Sequence, residues 1–76
     1  MREVEITTEP VELYKILKFE GMTSSGGEAK QVIEQGQVLV NGKVETRKRK
    51  KITSGDVIEF ASEKISIKYI GKPHDE

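Results

Sequence analysis

The chain has 76 residues, no cysteine and zero formal net charge, and its hydrophobic and charged fractions are both 34%. This length allows one domain with a thin core, which leaves no room for a deep catalytic cavity, and the lack of cysteine excludes disulfides and thiolate zinc sites. No apolar stretch approaches the roughly 18 residues of a spanning helix, and the N-terminus lacks a signal peptide's apolar region, so we expect a cytoplasmic protein.

The first predicted elements are a short strand and a helix. Residues 2–7 alternate enough for a strand that places Val4 and Ile6 on one face. The segment TEPVELYKILKFEG follows and predicts a helix, because its apolar residues recur at spacings of three and four. Pro10 suits the first turn of this helix, and Gly21 fits a left-handed stop just after it.

The segment TSSGGEAKQVIEQGQ predicts a second helix. Ser25, with Glu28 three residues later, forms a capping-box arrangement, and Gly36 supplies the stop.

Two glycines in the first turn of this helix, Gly26 and Gly27, oppose helix formation by about 1 kcal/mol each relative to alanine. One explanation is a tight start of the helix that packs against another element. The second is a phosphate site, because backbone N–H groups at a helix start are unpaired and glycine lets a ligand approach them closely. Such a site would use the backbone of Ser25, Gly26 and Gly27, with Lys30 adding charge one turn further on. The two are compatible with each other.

Beyond the second helix the apolar period changes to two, which predicts strands. The dipeptide Asn41-Gly42 favours a type I′ hairpin turn. The tripeptide Ser-Gly-Asp at 54–56 marks another turn, and residues 57–60 and 64–70 supply two further strands. We therefore predict an α+β fold in which two short N-terminal helices pack on a small antiparallel sheet.

We expect residues 1–76 to form a single domain whose core spans about residues 8–70, with a flexible tail at 71–76. The only histidine, His74, lies in that tail, and no pair of carboxylates sits in an apolar setting. Asp56 is better explained as a turn residue. The sequence therefore predicts a protein that is not an enzyme and needs no cofactor or metal.

The positive charge of the chain is concentrated in one region. Residues 1–39 carry a net charge of −3 and residues 52–76 a net charge of −2, whereas residues 40–51 carry +5. Five consecutive cations, Arg47 through Lys51, account for most of that excess. Regional charge, rather than the total, attracts a polyanion.

An extended conformation over residues 44–52 would place Arg47, Arg49 and Lys51 on one side and the two intervening lysines on the other. Neighbours on one side would lie about 6.6 Å apart, close to the step between phosphates along a nucleic-acid strand. Arginine adds a planar donor fork that can grip a phosphate with two hydrogen bonds. Lys43, just past the hairpin turn, extends this patch.

The basic run is also compatible with two roles that involve no nucleic acid. Charged residues protect exposed edge strands from pairing with other sheets. Binding to anionic lipid is a third interpretation, although no amphipathic basic helix accompanies the run.

Aromatic residues are few. Phe19 and Phe60 are expected in the core, whereas Tyr14 and Tyr69 suit either core or surface. Since no two aromatics form an alternating platform, the sheet does not resemble a surface that stacks successive unpaired bases. Recognition of folded RNA through its shape and phosphates is the better match.

The segment GMTSSGGEAKQVIEQGQVLVNGKVETRKRKKITSGDVIEF resembles the S-four-like RNA-binding domain, a family named for the fourth small-subunit ribosomal protein. The similarity covers roughly residues 11–60. Its most specific part is EAKQVIEQGQVLVNGKV followed by the later Gly-Asp turn. The resemblance implies two helices packed on a small sheet that hold structured RNA, including ribosomal RNA or ribosomal particles. Since nothing in the sequence suggests an oligomer, we expect a monomer. The Ser-Gly-Gly sequence with the basic run is similar to the small stand-alone bacterial branch of the family.

The chain departs from the family pattern at both helix starts. Many members begin helix one with Arg-Leu-Asp, where this chain has Glu12, Leu13 and Tyr14. Many begin helix two with Ser-Ser-Arg-Ser, where this chain has glycines at 26 and 27. Cations that are missing from the helices reappear in the basic run.

The resemblance carries an RNA-binding role to positions that match in charge. These are Lys30, Lys43, Arg47, Lys48, Arg49, Lys50 and Lys51, with Ser25, Gly26 and Gly27 as backbone phosphate contacts. Glu12, Tyr14 and Gly26 are not expected to make side-chain contacts with RNA. The leading hypothesis is a non-catalytic RNA-binding protein, and the alternative is an adaptor that uses the same cations against an acidic protein partner.

Overall fold

The structure of the chain, a computed structural model, describes residues 1–71. In chain order its elements are β1 Arg2–Ile6, β2 Val11–Glu12, α1 Leu13–Phe19, α2 Gly26–Glu34, β3 Val38–Val40, β4 Lys43–Val44, β5 Lys51–Ile52, β6 Val57–Phe60 and β7 Glu63–Tyr69. The helices pack on a five-stranded sheet of order β1-β7-β6-β3-β4, and β2 and β5 form a separate two-stranded sheet. The predicted α+β class is confirmed. The predictions for residues 72–76, including His74, lie outside the described part of the chain.

The main sheet is antiparallel except at β1, which pairs in parallel with β7 through partners such as Val4 and Ile67. The sequence predicted only antiparallel pairing. Parallel neighbours need a long connection. Here almost the entire chain lies between the two strands, so no tight turn dictates their direction.

The core forms where the two helices meet the sheet. The helices contribute Leu13, Ile16 and Leu17 from α1 and Ala29, Val32 and Ile33 from α2. Strand residues complete it: Val4, Ile6, Val38, Val40, Ile52, Ile58, Ile65 and Ile67. Cross-strand pairing aligns Val40 with Ile58 and Ile58 with Ile65, which gives the sheet a continuous apolar row beneath the helices.

The local stop and turn signals of the sequence are confirmed. Gly21 and Gly36 have φ of 73° and 80° just beyond the two helices. Asn41 and Gly42 both have positive φ, 54° and 82°, as a type I′ turn requires. The Asp56 carboxylate accepts a hydrogen bond from the Thr53 N–H at 2.9 Å, which confirms its role in the turn.

Two expectations for helix one are wrong. Pro10 lies before β2 rather than in a first turn, because Val11 and Glu12 are extended and pair with β5, so that α1 begins only at Leu13. Phe19 is 68% exposed rather than buried. It follows Leu17 by two residues, about 200° around the helix, and therefore points away from the face that Leu17 buries. Phe60 packs against the core as expected.

Within residues 1–71, neither helix has the length and apolar character needed to cross a membrane.

Candidate nucleic-acid interface

The five consecutive cations occupy a loop between β4 and β5, which we call the basic loop (residues 45–50), and the first residue of β5, Lys51. The prediction of an extended run is wrong. Lys48 and Arg49 lie in a turn that is closed by a hydrogen bond from the Lys50 N–H to the Arg47 carbonyl at 3.1 Å. Alternate residues therefore do not form one row on one side.

The turn arises because the basic loop caps α1. The N-cap residue Glu12 makes no side-chain capping bond. Instead, the Leu13 N–H donates to the Lys50 carbonyl at 2.9 Å and the Tyr14 N–H donates to the Lys48 carbonyl at 3.1 Å. These bonds satisfy N–H groups that have no partner within a helix. The start of α1 is thus occupied by the chain itself, and the backbone of the basic loop is fixed against it.

Two of the five cations form ion pairs with carboxylates of the protein. The Arg47 guanidinium binds Glu45 through Nε at 2.9 Å and Nη2 at 3.1 Å, and the Arg47 backbone N–H also donates to that carboxylate. Lys48 Nζ lies 2.9 Å from Glu34 Oε2 on α2. The hydrogen bonds from Arg47 lower the pKa of Glu45 and raise that of Arg47. These pairs close the basic loop and tie it to α2.

The remaining three cations of the run have no carboxylate partner in the described part of the chain. Arg49, Lys50 and Lys51 form no ion pair with any carboxylate in residues 1–71. Together with Arg47 they line a shallow concavity of about 500 Å³. Because the backbone of Lys50 is bonded to α1 and Lys51 of β5 is the strand partner of Glu12 in β2, this concavity has a fixed frame.

The ring of Tyr14 lies at the centre of a second group of cations. Lys30 Nζ is 4.7 Å from the ring centroid, and both Lys15 Nζ and the Arg49 guanidinium carbon are 6.0 Å from it. These distances suit cation–π attraction, which favours a cation over an aromatic face. Tyr14 therefore joins Lys30 of α2 to Arg49 of the basic loop.

The sequence did not assign Tyr14 to the interface. Lys15 is its neighbour in the chain, but Lys30 and Arg49 are 16 and 35 residues away, so no local pattern could pair them with this ring. The signal in the sequence that could have identified it was that Tyr14, an aromatic residue, stands where many members of the resembled family have aspartate.

The start of α2 has one feature that favours a phosphate, the two glycines, and one that opposes it, the carboxylate of Glu28. An added Cβ would meet only ordinary contacts at Gly26, 3.8 Å from side chains of Tyr14 and Lys18, and at Gly27, 3.8 Å from Ser25 Oγ. Packing therefore does not require glycine at either position.

The acid at this helix start is Glu28. Its N–H donates to Ser25 Oγ at 3.1 Å, which confirms the predicted N-cap, while its carboxylate accepts hydrogen bonds from the N–H and hydroxyl of Ser24 at 2.7 Å. The backbone bond and then the hydroxyl bond lower the pKa of Glu28, so a negative charge stands beside the two glycines. We rank this position below the basic loop for binding an anion.

Lys43 is exposed in β4 and pairs with Val40. It belongs to the hairpin and lies outside the groups formed around Tyr14 and in the concavity.

Fold and site together define a class of protein: a small α+β domain whose two short helices and basic loop present cations above a mixed sheet. The chain belongs to the S4 domain family, which it matches over residues 4–68. The predicted resemblance is thereby confirmed.

The relatives of the chain include two bacterial proteins. It is 49% identical to YbcJ of Escherichia coli (strain K12), a protein named for a proposed RNA-binding role. The 57 aligned residues cover 75% of this chain and 81% of that protein. It is 38% identical over 57 residues to RlbA of Bacillus subtilis (strain 168), named for a proposed role in ribosome maturation, with 75% and 80% covered. The solution structure of E. coli YbcJ, described as revealing an αL motif involved in RNA binding, matches with a TM-score of 0.69 at 43% identity over 90% of this chain and 87% of that one.

Proposed function

We propose that this protein is a non-catalytic, monomeric RNA-binding protein of the cytoplasm that grips phosphates of a structured RNA. The observation that carries the proposal is the grouping of Arg49, Lys50 and Lys51 on a loop whose backbone is bonded to α1, with Lys30 joined to the group through Tyr14. Cations held in place lose less conformational freedom on binding than cations on a mobile tail.

The proposed contacts differ in weight. Lys30, Arg49, Lys50 and Lys51 neutralise phosphates directly. Arg47 and Lys48 shape the basic loop through their carboxylate partners and reach the RNA secondarily, as Lys43 does from the hairpin. The backbone of residues 25–27 contributes a weaker phosphate contact.

Ribosomal RNA or a ribosomal particle is the target that we favour. The similarity to RlbA of B. subtilis, with its proposed role in ribosome maturation, supports this choice. RNA binding by the E. coli relative, as its name and structure describe it, supports the broader class.

One observation favours a second candidate, an adaptor for an acidic protein. The basic loop already binds two carboxylates, Glu45 and Glu34, at hydrogen-bonding distance. Recovery of partners that survives nuclease treatment would support the adaptor, and loss of all partners after nuclease would support RNA.

The test of RNA binding is an NMR titration of labelled protein with a short RNA hairpin over a salt series. Neutralisation of four phosphates predicts that log affinity falls with log salt at a slope of about −2.8 to −3.6, whereas seven equal contacts predict about −4.9 to −6.3. Shifts that cluster at Lys30 and residues 49–51 with the lower slope support the proposal. No shift at low salt would remove it.

A further inference from the structure

A second surface lies beside the cations and carries different chemistry. It is a groove of about 790 Å³ between β1, the segment that follows it, and α1. This volume lies within the range of about 300–1,000 Å³ that is typical of sites for small organic ligands. Its apolar lining residues include Ile6, Val11 and Ile16, and the exposed ring of Phe19 also lines it.

The charges around the groove are balanced. Lys15, Lys18 and Lys51 face Glu5, Glu12 and Glu20. Lys15 lies 3.7 Å from Glu12, and Glu20 is paired with Arg2 at 2.9 Å. A groove with a mixed polar and apolar lining and no net charge is a poor site for a phosphate. It suits a flat, neutral ring that stacks on aromatic and aliphatic side chains.

The groove is continuous with the proposed RNA interface. Tyr14 and Lys51 line the groove and also belong to the groups that hold the basic loop and its cations. A phosphate on Lys51 therefore brings the adjoining nucleotide to the mouth of the groove. The ammonium of Lys18 lies over the Phe19 ring, 5.9 Å from its centroid, so a base stacks on the opposite face of the ring or replaces the ammonium.

We propose that this groove receives one unpaired nucleobase of the bound RNA, with Phe19 as the stacking surface, while the phosphates stay on the basic loop. A base inside a duplex has both faces covered by its neighbours in the stack, so only an unpaired base can enter. The protein would then favour a helix that carries an unpaired nucleotide over one that is fully paired. The inference rests on the proposed RNA binding, and it adds a site that distinguishes an unpaired base from a paired one.

The test uses the full chain and two RNA hairpins with the same stem, one fully paired and one with a single bulged 2-aminopurine. The wild-type protein is expected to bind the bulged hairpin about tenfold more tightly, and stacking should quench the fluorescence of the probe. Phe19→Ala should weaken binding of the bulged hairpin about 5- to 10-fold, the lower part of the range for one base stacked on an aromatic ring, so that the preference disappears, and leave the paired hairpin unaffected. Because a neutral base releases no counterions, the salt slope should stay the same.

A matched control is Val44→Ala, which removes an exposed apolar side chain from β4 at the opposite edge of the sheet from β1. It should leave the preference for the bulge intact. Equal wild-type affinity for both hairpins, or the same loss on both with Phe19→Ala, would overturn the groove while leaving RNA binding in place. Binding of neither hairpin at low salt would overturn both proposals.

Discussion

The Asn41-Gly42 turn and the basic loop flank β4 and acquire their shapes in different ways. The turn follows from its own two residues, whose positive φ values match the twist of β3 and β4, and Asn41 adds hydrogen bonds to Asp56 and Val57. The basic loop is closed by its own Glu45–Arg47 pair and is placed by N–H groups of α1 and a carboxylate of α2. The cations of the basic loop therefore depend on the helices for their placement, although they lie on neither helix. Variants that change one of the two regions and leave the other intact test this dependence.

The largest expected effect follows from the combined change Arg49→Gln, Lys50→Gln and Lys51→Gln. RNA affinity should fall on the order of 100-fold at about 0.1 M salt, and the salt slope should become shallower by about 2 to 3, because three phosphate contacts are lost. Fluorescence anisotropy over a salt series measures both. Lys43→Gln is the matched control in the hairpin and should change the slope by less than about 1. An equal loss of RNA affinity per substituted cation in the basic loop and in the hairpin would show that the two regions contribute alike.

The next effect concerns the aromatic residue that joins the loop to α2. Tyr14→Leu should weaken RNA binding about 5- to 30-fold, because Lys30 and Arg49 lose a shared cation–π partner. Tyr14→Phe should keep most of the affinity.

The control for Tyr14 lies in the turn. Gly42→Ala should destabilise the fold by about 1–2 kcal/mol, because an L residue is forced into the left-handed region, and should leave RNA affinity nearly unchanged. When thermal unfolding and RNA binding are measured on both variants, Tyr14→Leu should lose mainly RNA affinity and Gly42→Ala mainly stability. If Tyr14→Leu lowered stability and not affinity, a role in placing the cations would be excluded.

A smaller effect is expected at the start of α2. Gly27→Ala should raise the free energy of unfolding by up to about 1 kcal/mol, since alanine favours the helix and its Cβ meets no close atom. It should also weaken RNA binding a few-fold if a phosphate approaches the backbone there. Gln31→Ala, on the exposed surface of α2, controls for the gain in helix propensity. Unchanged affinity in Gly27→Ala would remove the backbone contact.

The smallest effect is a dependence on pH within the basic loop. The Arg47 hydrogen bonds lower the pKa of Glu45 below its ordinary value of 4.5, so the fold favours the carboxylate form. The resulting stability is complete above that value and is lost as pH falls through the lowered pKa. Thermal unfolding from about pH 7 to 3 should show a small acid loss that Glu45→Gln reduces, while the part that arises from the lowered pKa of Glu28 remains. Glu3→Gln on β1 serves as a charge-matched control that should retain it.

The features that the sequence predicted correctly share a short range. Ser25 finds its capping partner Glu28 three residues away, and Asn41 and Gly42 adopt the positive φ values that their sequence favours. The positions of Phe19 and Pro10 were mispredicted because the face that Leu17 buries and the pairing of Val11 with Ile52 decide them. The pairing with Ile52 comes from a distant part of the chain, whereas the exposure of Phe19 follows from its angle to Leu17 on the same helix.

The candidate site shows the same division. Its residue types and charge were visible in the sequence, as was the family. The turn at Lys48 and Arg49 was not, because its cause lies in α1. Tyr14 and the groove beside Phe19 were missed for the same reason. The assignment of individual residues to RNA stays a prediction.

The carbonyls that cap α1 have a consequence for how the family's sequences can diverge. Lys48 and Lys50 contribute main-chain oxygens to Tyr14 and Leu13, and any amino acid carries that oxygen. Substitution at these positions is therefore compatible with the same backbone. Insertion or deletion of a single residue between β4 and β5 is not, since it would shift one carbonyl out of register with the helix. Relatives that share this cap should vary in the composition of the segment and agree in its length.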